Sequence, residues 1–306
     1  MKVIRVSEQG FCNGVRRALS LVEMAITENS EGKQIYILGD IINNRFVSEQ
    51  FKKQGVITIS SNNQSRLEMV KLVSKDSIVI LTAHGVSPEV LNYLKNNKIE
   101  YIDASCPFVI DVHNRITKHL DQDFEIIYIG KHNHPESEGV LGINRRKIHI
   151  VTNVEDVRNL KVKSQNILID TQTTLSNFYT KPIIDEIYVK YPEAILASGV
   201  CDATTKRQEA LINEIKGDLC IVVGDVRSSN ANELLKIGLN YMPTYLINSV
   251  EEIKKEWLDG VKVITLTSAA STPSILTDEI YEYLINYNTW LFMCFFYSKC
   301  NHFIFN

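Results

Sequence analysis

Three cysteines, Cys12, Cys106 and Cys201, stand 94 and 95 residues apart, each where an apolar strand-like run gives way to a helix-like one. The first follows MKVIRV and precedes VRRALSLVEMAI, whose Val15, Ala18, Leu19 and Val22 share one helical face. The second follows IEYIDAS, with Pro107 suited to the first turn of the helix after it. The third follows ILASGV and precedes DATTKRQEALINEIKG, a helix expected to close at Gly217. Three like units joined at strand-to-helix junctions are therefore expected.

The same alternation fills the intervals. IVIL leads to TAHGVS and PEVLNYLK, EIIYIG to KHNHPESEG, and NILID to TQTTLS and NFYTKPIIDEIYVKY. CIVVGD, VRSSN and ANELLKIG follow, then VITLT, SAAST and PSILTDEIYEYL. Strands alternating with helices imply an α/β fold with parallel sheets, whose ligands collect at the carboxyl ends of the strands. The expected units are residues 1–106, 107–200 and 201–284, followed by an aromatic tail, 285–306.

A composition of 44% apolar and 23% charged residues is ordinary for a globular chain. The net charge of −3 supplies no basic field for nucleic acid. MKVIRVSEQGFC has no apolar signal core, so a cytoplasmic location is expected. Tyr283 to Ser298 is uncharged but falls short of the roughly 20 residues that cross a bilayer, so no membrane span is expected.

In a reducing compartment the six cysteines are buried apolar residues, catalysts or metal ligands. Cys220, inside a strand, is read as a buried residue, and so are Cys294 and Cys300 in the tail. Cys12, Cys106 and Cys201 differ because a helix N-terminus favours the thiolate. Three soft thiolates suit an iron–sulfur cluster or a zinc site, and a cubane held by only three leaves one iron open.

His84, and His134 beside Glu136, form a second group of candidates. Burial between sheets is expected to raise the pKa of Glu136 toward that of a general acid, with Glu138 as a rival carboxylate. Thr173-Thr174-Leu175-Ser176, Ser228-Ser229-Asn230 and Ser271-Thr272-Pro273 have the form of helix N-caps, which can also bind anions.

Taken together, GFCNGV, TAHGVS, DASCP, HPESEG, TQTTLS, CDATTKRQEA, RSSN and SAAST resemble the 4-hydroxy-3-methylbut-2-enyl diphosphate reductases, the LytB or IspH family, over about residues 3–284. The resemblance implies a trefoil of three α/β units around a [4Fe–4S] cluster held by Cys12, Cys106 and Cys201. It implies that the substrate hydroxyl meets the open iron, while His84, His134, Ser228, Ser229, Asn230 and Ser271 hold its diphosphate. Glu136 becomes the proton donor and Thr173 orients the hydroxyl and relays protons, with Gln172 and Thr174 behind them. The implied reaction is a two-electron reductive dehydroxylation giving isopentenyl or dimethylallyl diphosphate, with ferredoxin or flavodoxin as electron donor. Two positions depart from the family pattern. Asn43 in IINNR stands where a diphosphate-binding histidine is usual, and Ala269 stands where glycine is common. The aromatic tail also differs from the closing segment expected of the family.

Overall fold

The computed structural model describes residues 1–61, 63–197 and 200–300, with side chains through Tyr287. The chain opens with β1 (Lys2–Arg5) and α1 (Asn13–Glu28). Next come β2 (Gln34–Leu38), α2 (Arg45–Lys53), β3 (Ile57–Ile59), α3 (Arg66–Val70), β4 (Ser77–Leu81), α4 (Pro88–Asn96) and β5 (Glu100–Asp103). The middle stretch holds α5 (Pro107–Leu120), β6 (Glu125–Ile129), α6 (Pro135–Leu141), β7 (Ile148–Val151), α7 (Val154–Asn159), β8 (Ile167–Thr171), α8 (Asn177–Lys190) and β9 (Ile195–Leu196). The last holds α9 (Asp202–Glu214), β10 (Leu219–Val223), α10 (Ser229–Leu239), β11 (Thr244–Ile247), β12 (Val263–Ser268) and α11 (Ser274–Cys300).

The strands form three four-stranded sheets in the orders β3-β2-β4-β5, β7-β6-β8-β9 and β11-β10-β12-β1, and every pair is parallel. The order repeats: each sheet has its second strand outermost, then its first, third and fourth. In the last sheet the fourth place is taken by the strand that begins the chain, with Lys2 opposite Val263 and Arg5 opposite Leu266. Thus β1, which the sequence groups with residues 1–106, pairs with a strand it groups with 201–284. Each of the three cysteines then follows the fourth strand of a sheet, which accounts for their even spacing.

Met1–Phe11 and the chain from Lys206 onward make one compact unit, and Cys12–Thr205 makes a second. In the first, Val6, Leu211, Cys220, Val222, Leu234 and Ile237 form a buried cluster, so Cys220 is the core residue its strand implied. In the second, β4 and β2 pack Leu38, Val79 and Leu81 against Val90 and Leu94 of α4. β6 and β8 are covered on both faces, by α8 through Ile183 and Ile187 and by α5 through Val112 and Ile116. β4, β6, β8 and β10 are buried at every position, as parallel strands between helical layers must be.

Two boundaries differ from expectation. α9 ends at Glu214 and not at Gly217, which has a left-handed φ of +110° and turns the chain into β10. HPESEG, to which the sequence assigns no helix, begins α6: Pro135 has no amide to satisfy at the first helical position, and Glu136 and Glu138 face the positive end of the dipole. Helix α11 runs into the aromatic tail, but the packing of residues 288–306, Cys294 and Cys300 included, lies outside the described residues. Among the described residues, no helix is long and apolar enough to cross a membrane.

Candidate functional site

Cys12 and Cys106 are the N-cap residues of α1 and α5, and Cys201 immediately precedes α9. Three helix N-termini therefore present thiols within the Cys12–Thr205 unit. Cys12 Sγ accepts the Val15 amide at 3.5 Å, and Cys201 Sγ lies 3.1 Å from Thr204 Oγ1. All three side chains are partly exposed and none is in a disulfide. Burial, with smaller contributions from the charges of Cys12 and Cys201, pushes the Cys106 thiol up to about 11. Burial and Cys12 likewise raise Cys201, although Thr204 opposes the shift. Cys12 bears on both Cys106 and Cys201, and Cys201 on Cys106, so negative charge gathered on these sulfurs lacks a counter-ion, which a shared metal centre would supply. Gly14 provides the room. A Cβ there would stand 2.6 Å from Cys106 Sγ and 3.9 Å from Cys12 Sγ, so both sulfurs border the space that glycine leaves open. Donor type, helix-end placement and this cradle all fit an iron–sulfur centre.

Two backbone hydrogen bonds fasten these cysteines to neighbouring turns. The Cys106 amide donates to Ala83 O at 2.9 Å, next to His84, and the Cys201 amide donates to Thr173 O at 3.2 Å. Thr173 in turn donates to Glu136 Oε2 through its amide (3.0 Å) and its hydroxyl (2.9 Å). His84 Nδ1 lies 4.0 Å from the other carboxylate oxygen, and the His84 and His134 rings meet edge to face. The structure thus brings His84, His134, Glu136 and Thr173 together at the carboxyl ends of β4, β6 and β8. Gln172 braces them: its Oε1 accepts the Lys131 amide at 3.1 Å and its Nε2 donates to Thr174 Oγ1 at 2.9 Å.

The electrostatics correct two expectations: helix N-termini are expected to favour the thiolates, but burial raises Cys106 and Cys201, and Glu136 is expected to be raised, but it is lowered. Burial does work to raise Glu136, but the His84 ring beside it, with smaller help from His134 and the Thr173 amide, outweighs it and holds the carboxyl below its ordinary value. Burial of a carboxylate comes together with the partners that surround it, and here the partners win. Burial also lowers His134 to about 3, against the pull of Glu136, so its ring is neutral at pH 7. Because His134 Nδ1 accepts the Glu136 amide at 3.2 Å, the proton of the neutral ring sits on Nε2. That Nε2 and the Nε2 of His84 are buried with no hydrogen-bond partner among the described residues, a pair of nitrogens an anion would satisfy. Donor atoms of His84, His134 and Glu136 lie within 4.8 Å of one another. A tetrahedral zinc with 2.0–2.1 Å bonds needs edges of roughly 3.4 Å, so a metal here would have to draw the groups closer.

Glu138, the rival carboxylate, is engaged elsewhere: its Oε1 accepts the Arg66 amide at 2.8 Å. Asn43 is half-buried beside Asn44, the N-cap of α2, and Ile41 O of the same loop accepts the Ala83 amide at 3.2 Å. In the other unit, Ser228, Ser229, Asn230 and Ser271 are all buried where β10 and β12 end. Ser271 Oγ lies 3.2 Å from Ser228 Oγ, and Asn230 Oδ1 accepts the Ala270 amide at 2.9 Å. Ala269 causes no crowding of this turn: its Cβ is fully buried against the face of Gly224 that lacks one.

Several buried charges carry no local mark in the sequence, Asp170 and Arg66 beside this site among them. Asp170 takes a bidentate pair of bonds from Arg115, at 2.9 and 3.1 Å, and steadies the start of the TQTT turn by accepting the Thr171 amide. Arg66 is 3% exposed despite its polar surroundings in the sequence. Nothing local marks either one, since burial of a charge is decided by distant partners.

The sequence matches the LytB protein family over residues 3–285. It is 39% identical over 287 residues to the 4-hydroxy-3-methylbut-2-enyl diphosphate reductase of Bacillus subtilis strain 168, covering 93% of this chain and 90% of that protein. The protein of the same name from Halalkalibacterium halodurans is 38% identical over 291 residues, with 94% and 92% covered. Among solved structures, the E-1-hydroxy-2-methyl-but-2-enyl-4-diphosphate reductase from Plasmodium falciparum matches with a TM-score of 0.87 at 35% identity, covering 93% of this chain and 88% of that one. An (E)-4-hydroxy-3-methyl-but-2-enyl diphosphate reductase, described as the terminal enzyme of the non-mevalonate pathway, matches with a TM-score of 0.65 at 30% identity, covering 94% and 100%.

Proposed function

The chain belongs to the LytB family, and we propose that it reduces 4-hydroxy-3-methylbut-2-enyl diphosphate to isopentenyl and dimethylallyl diphosphate, using a [4Fe–4S] cluster held by Cys12, Cys106 and Cys201. The observation that carries this reading is the coupling of the thiols to the acid: Cys106 and Cys201 are hydrogen-bonded to the same turns that present His84 and Thr173. The cluster supplies electrons singly and offers an iron that acts as a Lewis acid.

The protein's own residues supply position and protons. Overall, two electrons and two protons cleave one C–O bond, form one C–H bond and release water. His134 offers a neutral Nε2–H to the diphosphate, so it binds without a proton of its own being titrated. His84, Ser228, Ser229, Asn230 and Ser271, and Asn43 with its amide, are the other proposed diphosphate contacts. Glu136 is an ionised carboxylate before substrate arrives. A diphosphate bound at the histidines brings negative charge beside it, which raises the affinity of the carboxylate for a proton and converts it into the acid the leaving hydroxyl needs. Thr173 orients Glu136 Oε2 with two hydrogen bonds, and its hydroxyl can pass that proton on. At 2% exposure, Glu136 exchanges protons through these partners and not with open water. Ferredoxin or flavodoxin is the proposed electron donor.

Anaerobic reconstitution tests the reading. Iron and sulfide should each reach about four per chain, and a reduced viologen should be oxidised only when the diphosphate is added. A colourless protein holding a single zinc would remove the cluster. A brown protein that never oxidises the dye in response to substrate would leave a redox sensor in place of the reductase.

A further inference from the structure

Arg66 occupies the first position of α3, where Ser65 and Glu68 form a reciprocal capping box. The cap fixes the first turn, so the Arg66 amide points to Glu138 Oε1 at 2.8 Å while the side chain runs inward. Its Nη1 donates to Gly85 O at 2.9 Å and reaches Pro135 O at 3.4 Å, and its Nη2 donates to Thr82 Oγ1 at 3.2 Å. Gly85 follows His84, and Pro135 lies between His134 and Glu136. One side chain therefore bridges the two turns that carry the histidines and the acid, and its backbone holds the same helix a second time through Glu138. Gly39 clears the way: its φ is +95°, and a Cβ there would stand 3.2 Å from Nη2. Burial works against the guanidinium charge, with Glu138, Asp40 and Glu136 offsetting it.

We propose that Arg66 is a positioning residue for the reaction, its guanidinium setting the separation of the His84 turn from the His134–Glu136 turn. This rests on the function assigned above. The fork is what matters, because three acceptors in three directions need several N–H groups on a rigid plane. A lysine ammonium brings the charge without that geometry.

The test compares Arg66→Gln and Arg66→Lys in the cluster-loaded protein. Both should lower kcat about tenfold or more while KM shifts less than about threefold, since displacing a catalytic group by an ångström costs about two orders of magnitude in rate. Amide hydrogen exchange should quicken together in residues 82–86 and in residues 134 and 136–138, with residues 224–228 as an unaffected control. Unchanged exchange in either turn overturns the proposal. So does full activity in Arg66→Lys, which would make the role one of charge alone, or a lowered melting temperature with normal kcat. Exchange needs no turnover, so wild-type protein that fails to reduce the diphosphate would remove the assigned function and still leave the bridge to be judged.

Discussion

Replacing Gly14 by alanine puts the cluster assignment under strain at a single atom. The added Cβ would lie 2.6 Å from Cys106 Sγ, whereas non-bonded heavy atoms rest at about 3.5–4.0 Å, so the sulfur or α1 must give way by about 1 Å. The neighbouring distances, 3.5 Å to Cys106 Cβ and 3.9 Å to Cys12 Sγ, need no adjustment. The cheapest relief is rotation of the Cys106 side chain, which carries Sγ off its place. A metal–sulfur bond tolerates only about 0.2 Å, so such a rotation is incompatible with holding an iron. The helix itself gains, because alanine is favoured over glycine by up to about 1 kcal/mol and Gly14 lies within α1. Metal content and folding should therefore separate. After anaerobic reconstitution, Gly14→Ala should hold less than about one quarter of the wild-type iron, with the visible absorption lost in proportion, while the metal-free protein melts no lower than wild type. Wild-type iron content and an unchanged spectrum would refute the placement of the sulfurs around that space.

Glu136→Gln keeps an acceptor for Thr173 but cannot deliver a proton, so kcat should fall by roughly 10²- to 10⁴-fold with substrate affinity nearly unchanged; near-normal turnover in single-turnover assays would assign the proton to another group. Asn43→His should tighten diphosphate binding by about 5- to 30-fold, corresponding to 1–2 kcal/mol for a charge-assisted bond, and calorimetric titration showing no gain would remove Asn43 from the pocket. Acid should destabilise the fold through His134, whose folded pKa of about 3 lies below the roughly 6.5 of an unfolded histidine. The unfolded chain then binds more protons between those values, so stability is full above about pH 6.5 and is lost toward pH 3, by about 2 kcal/mol at pH 5. Urea midpoints at pH 7 and pH 5 should show that loss in wild type and not in His134→Asn, and equal losses in both would contradict it.

Legibility in the sequence followed burial. Strands enclosed on both faces, such as SIVIL in β4 and LCIVV in β10, are unbroken apolar runs and could be read directly. β3, with no buried residue, and β9, two exposed residues long, carry no such pattern because edges need not be apolar. The thiol, histidine and hydroxyl positions were readable because each sits at a junction between a strand and a helix. The direction of the Glu136 shift was not, since it depends on Thr173 and His84 approaching from other strands. Arg66 was hidden for the same reason: SSNNQSRLE has the composition of an exposed loop, and only the turns at Gly85 and Pro135 turn it inward.

The pairing of β1 with β12 sets the order of synthesis against the order of assembly. Once made, β1 has no sheet partner until about 260 further residues have been added, on the order of 10–50 s at cellular translation rates. Through that interval β1 is an unpaired edge just upstream of Cys12, while the sheets that precede Cys106 and Cys201 can already close. Of the strands that precede the three cysteines, the one before Cys12 is thus the last to find its neighbour.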